Sequence, residues 1–370
     1  MRTSETHRGA TGTAAGTAAG TSPPPTTRAD HVTEVIPLTA GDGTPLSLVH
    51  VANPRLGPAP RGPVLLVHGA GVRAEIFRPP LDRTLVDALL DDGWDVWMSN
   101  WRASIDLDPV PWTLDEAAAY DHPAAVRAVL QATGADTLAA FVHCQGSTSF
   151  TMAAVAGLLP QVRTVVTNAV ALHVSLPLLS RTKVTRLLPL LDAFTPSLSP
   201  RWGYKSNGYF SRLVRAGVRA THPECENTVC RMVSFTYGSG RPALWSHENL
   251  DEATHHWIIG EFAGAPLTFF HQMARCAAAG HLVPTGAVPG LPASLVDVAP
   301  RTDARFVFLT GAQNRCFLPD SQVRSFEFFA RHRPGRDALH LIPDYGHLDV
   351  VFGRNAWRDV YPTILEELRS

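Results

Sequence analysis

The 370-residue chain has no run approaching eighteen uninterrupted apolar residues, which argues against a membrane-spanning helix. It has no excess of one charge either. Its 32 basic and 33 acidic residues leave a formal charge of -1, without the basic surplus that a polyanion partner calls for, so nucleic acid is not expected. Cysteine is sparse: five in a chain of this length make no secreted disulfide framework, and the odd number leaves at least one thiol unpaired, while Cys225 and Cys230 stay open to a local pairing. The sixteen histidines are scattered without a closely spaced Cys/His set of zinc type. VHGAG at 67–71 lacks both the phosphate-loop lysine and a dinucleotide spacing. No metal and no cofactor are expected.

The first thirty residues, rich in Thr, Ala, Gly and Pro, show neither periodicity nor the apolar core of an export signal, so they read as a disordered tail on a cytoplasmic protein. Beyond them a hydrophobic content of 45% is ample for a large core. Short apolar runs at 46–51, 63–67, 95–98, 138–142, 164–167, 306–309 and 339–342 end in turn formers, and helical patterns separate several of them. That rhythm predicts an α/β fold with a mostly parallel sheet covered on both faces. Between 170 and 300 the rhythm fails and proline-punctuated helical pieces take over, at 183–191, 209–218 and 262–279. The expected organisation is therefore a core from 31–170 and 301–370, with 171–300 as a helical cap over the carboxyl edge of the sheet.

The most informative stretch is Val-His-Cys-Gln-Gly-Ser at 142–147. An apolar strand pattern precedes it and STSFTMAAVAGLL follows as a helix, so 143–146 is the sharp turn between them. This strand–turn–helix resembles an α/β-hydrolase nucleophile elbow with Cys144 in the serine position and Val142 replacing the first glycine. A helix N-terminus offers unpaired N–H groups and partial positive charge, which favour a thiolate there. The bland alternative is a buried apolar cysteine at a strand end.

Further segments extend the resemblance in order along the chain: His68-Gly69 after PVLLV, GWDVWMSNWRAS at 93–104, WTLDEAAAYDHPAAV at 112–126, HENLDEATHHWIIGEFAGAPLTFF at 247–270, and YGHLDVVFGRNAWRDVYPTILEEL at 345–368. Over about residues 31–370 the chain resembles the acid lipase family, which includes the gastric and lysosomal acid lipases. The HCxGS elbow is closest to a bacterial branch and to hydrolase-like domains associated with sterol-oxidase-like proteins. The resemblance implies an α/β-hydrolase core, a large helical cap, and cleavage of lipid esters by a Ser-His-Asp triad. Two positions depart from it: Cys144 stands for the serine, and Asn314, in GAQNRCFLPDS, stands where the aspartate would be.

Placed on this frame, His347 after a late strand and Gly346 is the expected base. Asn314 is the expected orienter, accepting from the imidazole through its amide oxygen, with Asp320 as rival and helix N-capping as the bland role of Asp320. The oxyanion hole is expected from the backbone N–H groups of Ala70 and Gln145, with Gly71 as the alternative to Ala70. Trp101 and Arg102 are expected to brace the loop beneath the site. Among the remaining thiols Cys316 is notable for lying beside Asn314. Leu176, Leu178, Leu179, Leu187, Leu188, Leu190, Leu191, Phe269 and Phe270 line an apolar tunnel or form the core of the cap.

The leading functional reading is acyl transfer through a Cys144 thioester, as an esterase, thioesterase or acyltransferase acting on a medium or large apolar acyl, polyketide-like or steroid-like molecule. A non-catalytic binding or scaffold module is the first alternative. A lyase or cyclase with His347 as base and the oxyanion hole stabilising an enolate is the second.

Overall fold

Strands β3 (Pro63–Val67) and β5 (Leu138–His143) are buried along their whole length, as their unbroken apolar runs require of strands covered on both faces. Around them the computed structural model, which describes residues 26–206, 208–240 and 242–370, builds an eight-stranded sheet. The other members are β1 (Val32–Thr39), β2 (Pro45–Ala52), β4 (Asp95–Asn100), β6 (Val162–Asn168), β9 (Arg305–Gly311) and β10 (Ala338–Ile342). Two residue pairs, β7 (Ser197–Leu198) and β8 (Ala265–Pro266), make a separate antiparallel ribbon. The order across the main sheet is β1-β2-β4-β3-β5-β6-β9-β10. β2 runs antiparallel to β1 and β4, and every other pairing is parallel.

Every strand run read from the sequence lies on an observed strand, with small extensions at the ends. β1 escaped the apolar-run reading because VTEVIPLT is an edge strand with mostly exposed residues and a proline, and an edge needs little hydrophobic patterning. Residues 26–30, read as the end of the disordered tail, are ordered against the core. The Thr26 N–H donates to the Asp91 carboxylate, Asn53 donates to the Thr26 hydroxyl, and Arg28–Asp30 form a 3-10 turn. The rest of that tail lies outside the described residues.

Helices cover both faces. Leu85–Asp91 starts with a reciprocal capping box between Thr84 and Asp87, which satisfies donors that a helix start otherwise leaves open. Phe306, Phe308, Phe328 and Phe329 cluster beneath β9, and fully burying each ring is worth about 1.5–3 kcal/mol. Between β6 and β9 the chain adds the helical pieces Leu178–Thr182, Lys183–Leu187, Leu188–Leu191, Tyr209–Thr221, Thr228–Tyr237, Glu252–Glu261 and Leu267–Ala279. No helix among the described residues is long and apolar enough to cross a membrane.

Candidate active site

β5 hands the chain directly to the helix Cys144–Val155, with His143 extended and Cys144 in the left-handed region at φ 55°. A non-glycine residue held there stores strain of order 1–3 kcal/mol and persists only where its surroundings fix it. The sequence reading began this helix at Ser147; the turn is tighter, so the thiol sits on the first helical residue. Two glycines permit the crowding. A Cβ at Gly146 would lie 2.1 Å from the His68 carbonyl oxygen, and one at Gly69 would lie 2.9 Å from the Cys144 Cβ. The ends of β3 and β5 therefore meet at the elbow. Trp101 donates its indole N–H to the His68 carbonyl at 2.9 Å, while the Arg102 guanidinium bonds Asp121 and Asp42. Both residues brace the loop as expected.

His347 is brought to the same edge by the turn after β10. Its own N–H and that of Leu348 both donate to the Leu244 carbonyl, at 3.1 and 2.8 Å. Ligand-capable atoms of His143, Cys144 and His347 lie within 4.8 Å of one another. His347 Nε2 is buried without a hydrogen-bond partner. Asn314, after β9, contacts the other ring nitrogen, Nδ1, at 3.0 Å.

The direction of that contact differs from the expected one. Asn314 Oδ1 already accepts from the N–H groups of Cys316 and Phe317, at 2.9 and 3.2 Å. Its Nδ2 donates to the Thr310 hydroxyl at 3.0 Å and to His347 Nδ1. Turning the amide over would set its NH₂ against two backbone donors, so this network fixes the orientation. His347 Nδ1 is consequently an acceptor, and in the neutral ring the proton resides on Nε2.

Asp320 is not brought to the site. It is exposed, begins the helix Asp320–His332 one residue after the N-cap Pro319, and lies 3.9 Å from Arg324. For the oxyanion hole, the Gln145 N–H faces the Cys144 sulfur. Ala70 lines the cavity, and among the described residues its N–H has no hydrogen-bond acceptor. Gly71 is otherwise occupied: its N–H donates to the Ala103 carbonyl at 3.2 Å, which removes it as the second donor.

Several further participants have no role assigned from the sequence, although Cys316 stands out there for lying beside Asn314. The Cys316 thiol lies beside Cys144 and is the largest cause of a Cys144 pKa well below the usual thiol range, while its own donated hydrogen bond goes to the Tyr237 carbonyl at 3.2 Å. Burial opposes that shift; His347 and the Gln145 N–H assist it. Cys316 is pushed the other way by Cys144 and by burial, so it keeps its own proton while the proton of Cys144 is lost to solvent. Burial holds His143 well below the ordinary imidazole range, and its Nδ1 contacts Asn168 Nδ2 at 2.7 Å. Half-buried Lys183, lowered by burial to about 8, donates to the Phe235 and Gly238 carbonyls. The Tyr237 hydroxyl is buried without a partner at the cavity wall. Asp349, fully buried, accepts from the Gly346 N–H, the Ser246 N–H and Asn249, and so ties down the His347 turn.

These residues open on a cavity of about 170 Å³. Leu176, Leu187, Leu188, Leu191, Phe269 and Phe270 line it, as the tunnel reading expected. Leu178, Leu179 and Leu190 do not; they are 78%, 70% and 65% exposed on the outer surface. Among the described residues one further convergence of metal-capable atoms exists, of Cys225, Cys230, His247 and His255, and it lies outside this cavity.

A family model described as alpha/beta hydrolase fold matches residues 62–223. The chain has the α/β-hydrolase fold. Its segments are similar to lipases: it is 32% identical over 126 residues to lipase member K of Homo sapiens, covering 30% of this chain and 32% of that protein. It is 34% identical over 102 residues to the tear acid lipase-like protein of Mesocricetus auratus, covering 24% and 25%. The chain thus spans about a third or less of the length of these curated relatives. The whole of this α/β-hydrolase-fold chain is better compared with solved structures. A monoacylglycerol lipase from Paleococcus ferrophilus aligns with TM-score 0.55 and 16% identity over 88% of this chain and 98% of its own. A thermophilic esterase from Thermogutta terrifontis aligns with TM-score 0.51 and 16% identity over 91% and 98%. At that identity the likeness concerns the fold.

Proposed function

We propose that the protein is an acyl-transferring enzyme of the esterase or thioesterase type that works through a Cys144 thioester on an apolar acyl substrate. The observation that carries this reading is a strained elbow cysteine at a helix N-terminus, facing His347 inside an apolar cavity. The lipase and esterase names of the similar proteins support the ester-type chemistry.

The Cys144 thiolate attacks the acyl carbon, and the developing oxyanion accepts from the Ala70 and Gln145 N–H groups. Collapse expels the leaving group and leaves an acyl thioester on Cys144. Water or a second nucleophile then takes the acyl group, losing its proton to solvent and returning Cys144 as the thiolate. The proton on His347 Nε2 bears on which substrates suit the site. A thiolate leaves without being protonated, whereas an alkoxide needs a proton donor, and a neutral imidazole N–H is a hydrogen-bond donor rather than an acid. The same tautomer presents no lone pair to activate water. Thioester donors and a long-lived acyl-enzyme follow from it.

Residues 171–300 act as the cap, since most of the apolar lining comes from them. A cavity near 150 Å³ accepts a benzene-sized group, so the enclosed part of the substrate is of about that bulk, with a larger body extending toward the opening. Five unpaired thiols fit a reducing, cytoplasmic setting.

The test is a matched panel of acyl thioesters and oxygen esters read as kcat/KM, with intact-mass detection of the adduct. Wild type is expected to gain one acyl mass and C144A none. Full turnover by C144A removes the proposal.

A further inference from the structure

A second cysteine–histidine cluster is built into the cap, away from the cavity. Cys225 precedes Asn227, whose side-chain oxygen caps the helix Thr228–Tyr237 by accepting from the Val229 and Cys230 N–H groups. The turn so formed folds Cys225 back beside Cys230, the third residue of that helix. Arg231 donates to the Cys225 carbonyl and holds the turn shut. His247 begins the 3-10 turn His247–Asn249, and His255 lies in the helix Glu252–Glu261. Asn227 Nδ2 donates to the His255 carbonyl, which locks this helix to the cysteine turn.

One ligand atom from each of the four residues lies within 4.8 Å of every other, and Cys230 Sγ is already 3.4 Å from His247 Nε2. The two imidazoles meet edge to face, with centroids 4.9 Å apart and planes at 75°. In a tetrahedral zinc site, bonds of about 2.3 Å to sulfur and about 2.0 Å to nitrogen put ligand atoms roughly 3.3–3.8 Å apart, which a small contraction of this cluster supplies. His255 Nε2 is buried and has no hydrogen-bond partner. The buried indole N–H of Trp245, likewise without an oxygen acceptor, faces the Cys230 sulfur. A hydrogen-bond donor onto a ligating sulfur is the usual outer support of such a site.

We propose that Cys225, Cys230, His247 and His255 bind one zinc ion in a closed, structural site. Binding displaces the thiol protons to solvent, and two thiolates with two neutral imidazoles balance the dipositive ion. All four positions are filled by protein, so the site leaves no place for substrate. Its consequence is mechanical. His247 lies between Trp245 and Asn249 on the segment that holds the His347 turn: Leu244 accepts from the His347 and Leu348 N–H groups, Ser246 and Asn249 donate to Asp349, and Arg354 donates to the Asn249 carbonyl. The ion clamps two cap helices to the strap under the candidate base.

The sequence reading expected no metal because the spacing is open. Four residues separate the cysteines, a usual interval, but sixteen separate Cys230 from His247 and seven separate the histidines, beyond the common three to five. Only the folded cap brings the halves together.

The experiment measures zinc by mass spectrometry in the full chain purified under reduction without chelator. Wild type, C144A and C276S are each expected to hold about one zinc, while C225S and H255A hold roughly tenfold less. Cobalt exchanged into wild type is expected to give the intense visible bands of a tetrahedral thiolate site, and a strong chelator to lower Tm reversibly. C225S is read only when folded; the wild-type cobalt spectrum and chelator response decide independently of any variant. Failure of reduced wild type to retain zinc after loading, with Tm indifferent to chelator, overturns the proposal. A Cys225–Cys230 disulfide in the native protein, or loss of the zinc in C144A, overturns it equally.

Discussion

Two thiol pairs in this molecule each lie beside two imidazoles, yet the surroundings give them opposite characters. In the cleft, Cys144 and Cys316 line a cavity, and the nearby rings are each engaged at one nitrogen, His143 by Asn168 and His347 by Asn314. Only three of those side chains converge closely enough to share an ion. In the cap, all four of Cys225, Cys230, His247 and His255 converge. The chemistry of cysteine and histidine is thus set by what already holds each nitrogen and by whether space is left for a reactant. The cleft keeps one sulfur strained and accessible; the cap turns both sulfurs toward a common centre.

The strongest way to break this contrast is at Asn314, which sets the proton of His347. N314A removes the contact to Nδ1 and leaves the Cys316 and Phe317 N–H groups without their acceptor. Misplacing a reacting group by about an ångström can reduce rate on the order of 10²-fold, and that is the expected loss in acyl-enzyme formation by rapid-quench measurement. N314D should stay active. Its carboxylate accepts from the same two backbone N–H groups and also from an Nδ1–H, which stabilises the protonated ring and frees Nε2 to exchange protons. The expected signature is faster deacylation and a shift of kcat/KM from thioesters toward oxygen esters. A folded N314D with wild-type preference would show that the amide orientation does not govern the substrate.

A smaller effect tests the sulfur pair. Because the Cys144 pKa lies below the usual thiol value of about 8.5, its thiolate should persist as pH falls, and iodoacetamide labelling should stay flat through neutrality before declining. C316A removes the largest cause while burial remains, so the midpoint should move upward. One unit corresponds to roughly tenfold slower labelling on the acid limb. An unmoved midpoint would assign the thiolate to His347 and the helix N-terminus instead.

The sheet was largely legible because strands covered on both faces carry short continuous apolar runs, as β3, β5, β6 and β9 do at their centres. β1 was not, since an exposed edge makes no such demand. At the site, Cys144, His347 and Asn314 could be read from local turn context and the family resemblance. The direction of the Asn314 hydrogen bond could not, as it depends on two backbone N–H groups that only the loop geometry aims at Oδ1. Cys316 and the Cys225/Cys230 pair stand out in the sequence by position, but the contact of Cys316 with Cys144, the place of Tyr237 and the joining of that pair to His247 and His255 arise from long-range packing for which no short motif exists.

The smallest expected effect concerns Asp320, which competed with Asn314 in sequence and does not in space. Its carboxylate is exposed at the first residue of a helix, where a negative charge interacts favourably with the helix N-terminus and with Arg324 at 3.9 Å. Exposed pairs of this kind contribute about 0–1 kcal/mol, so D320A should lower Tm slightly or not at all. Acyl-enzyme formation should be unchanged within about twofold, because no described contact links Asp320 to His347 and an exposed charge is heavily screened. A large catalytic loss in a D320A protein of normal Tm would mean that the helix Asp320–His332 moves its first turn into the cleft during turnover, and would return the orienting role to a carboxylate.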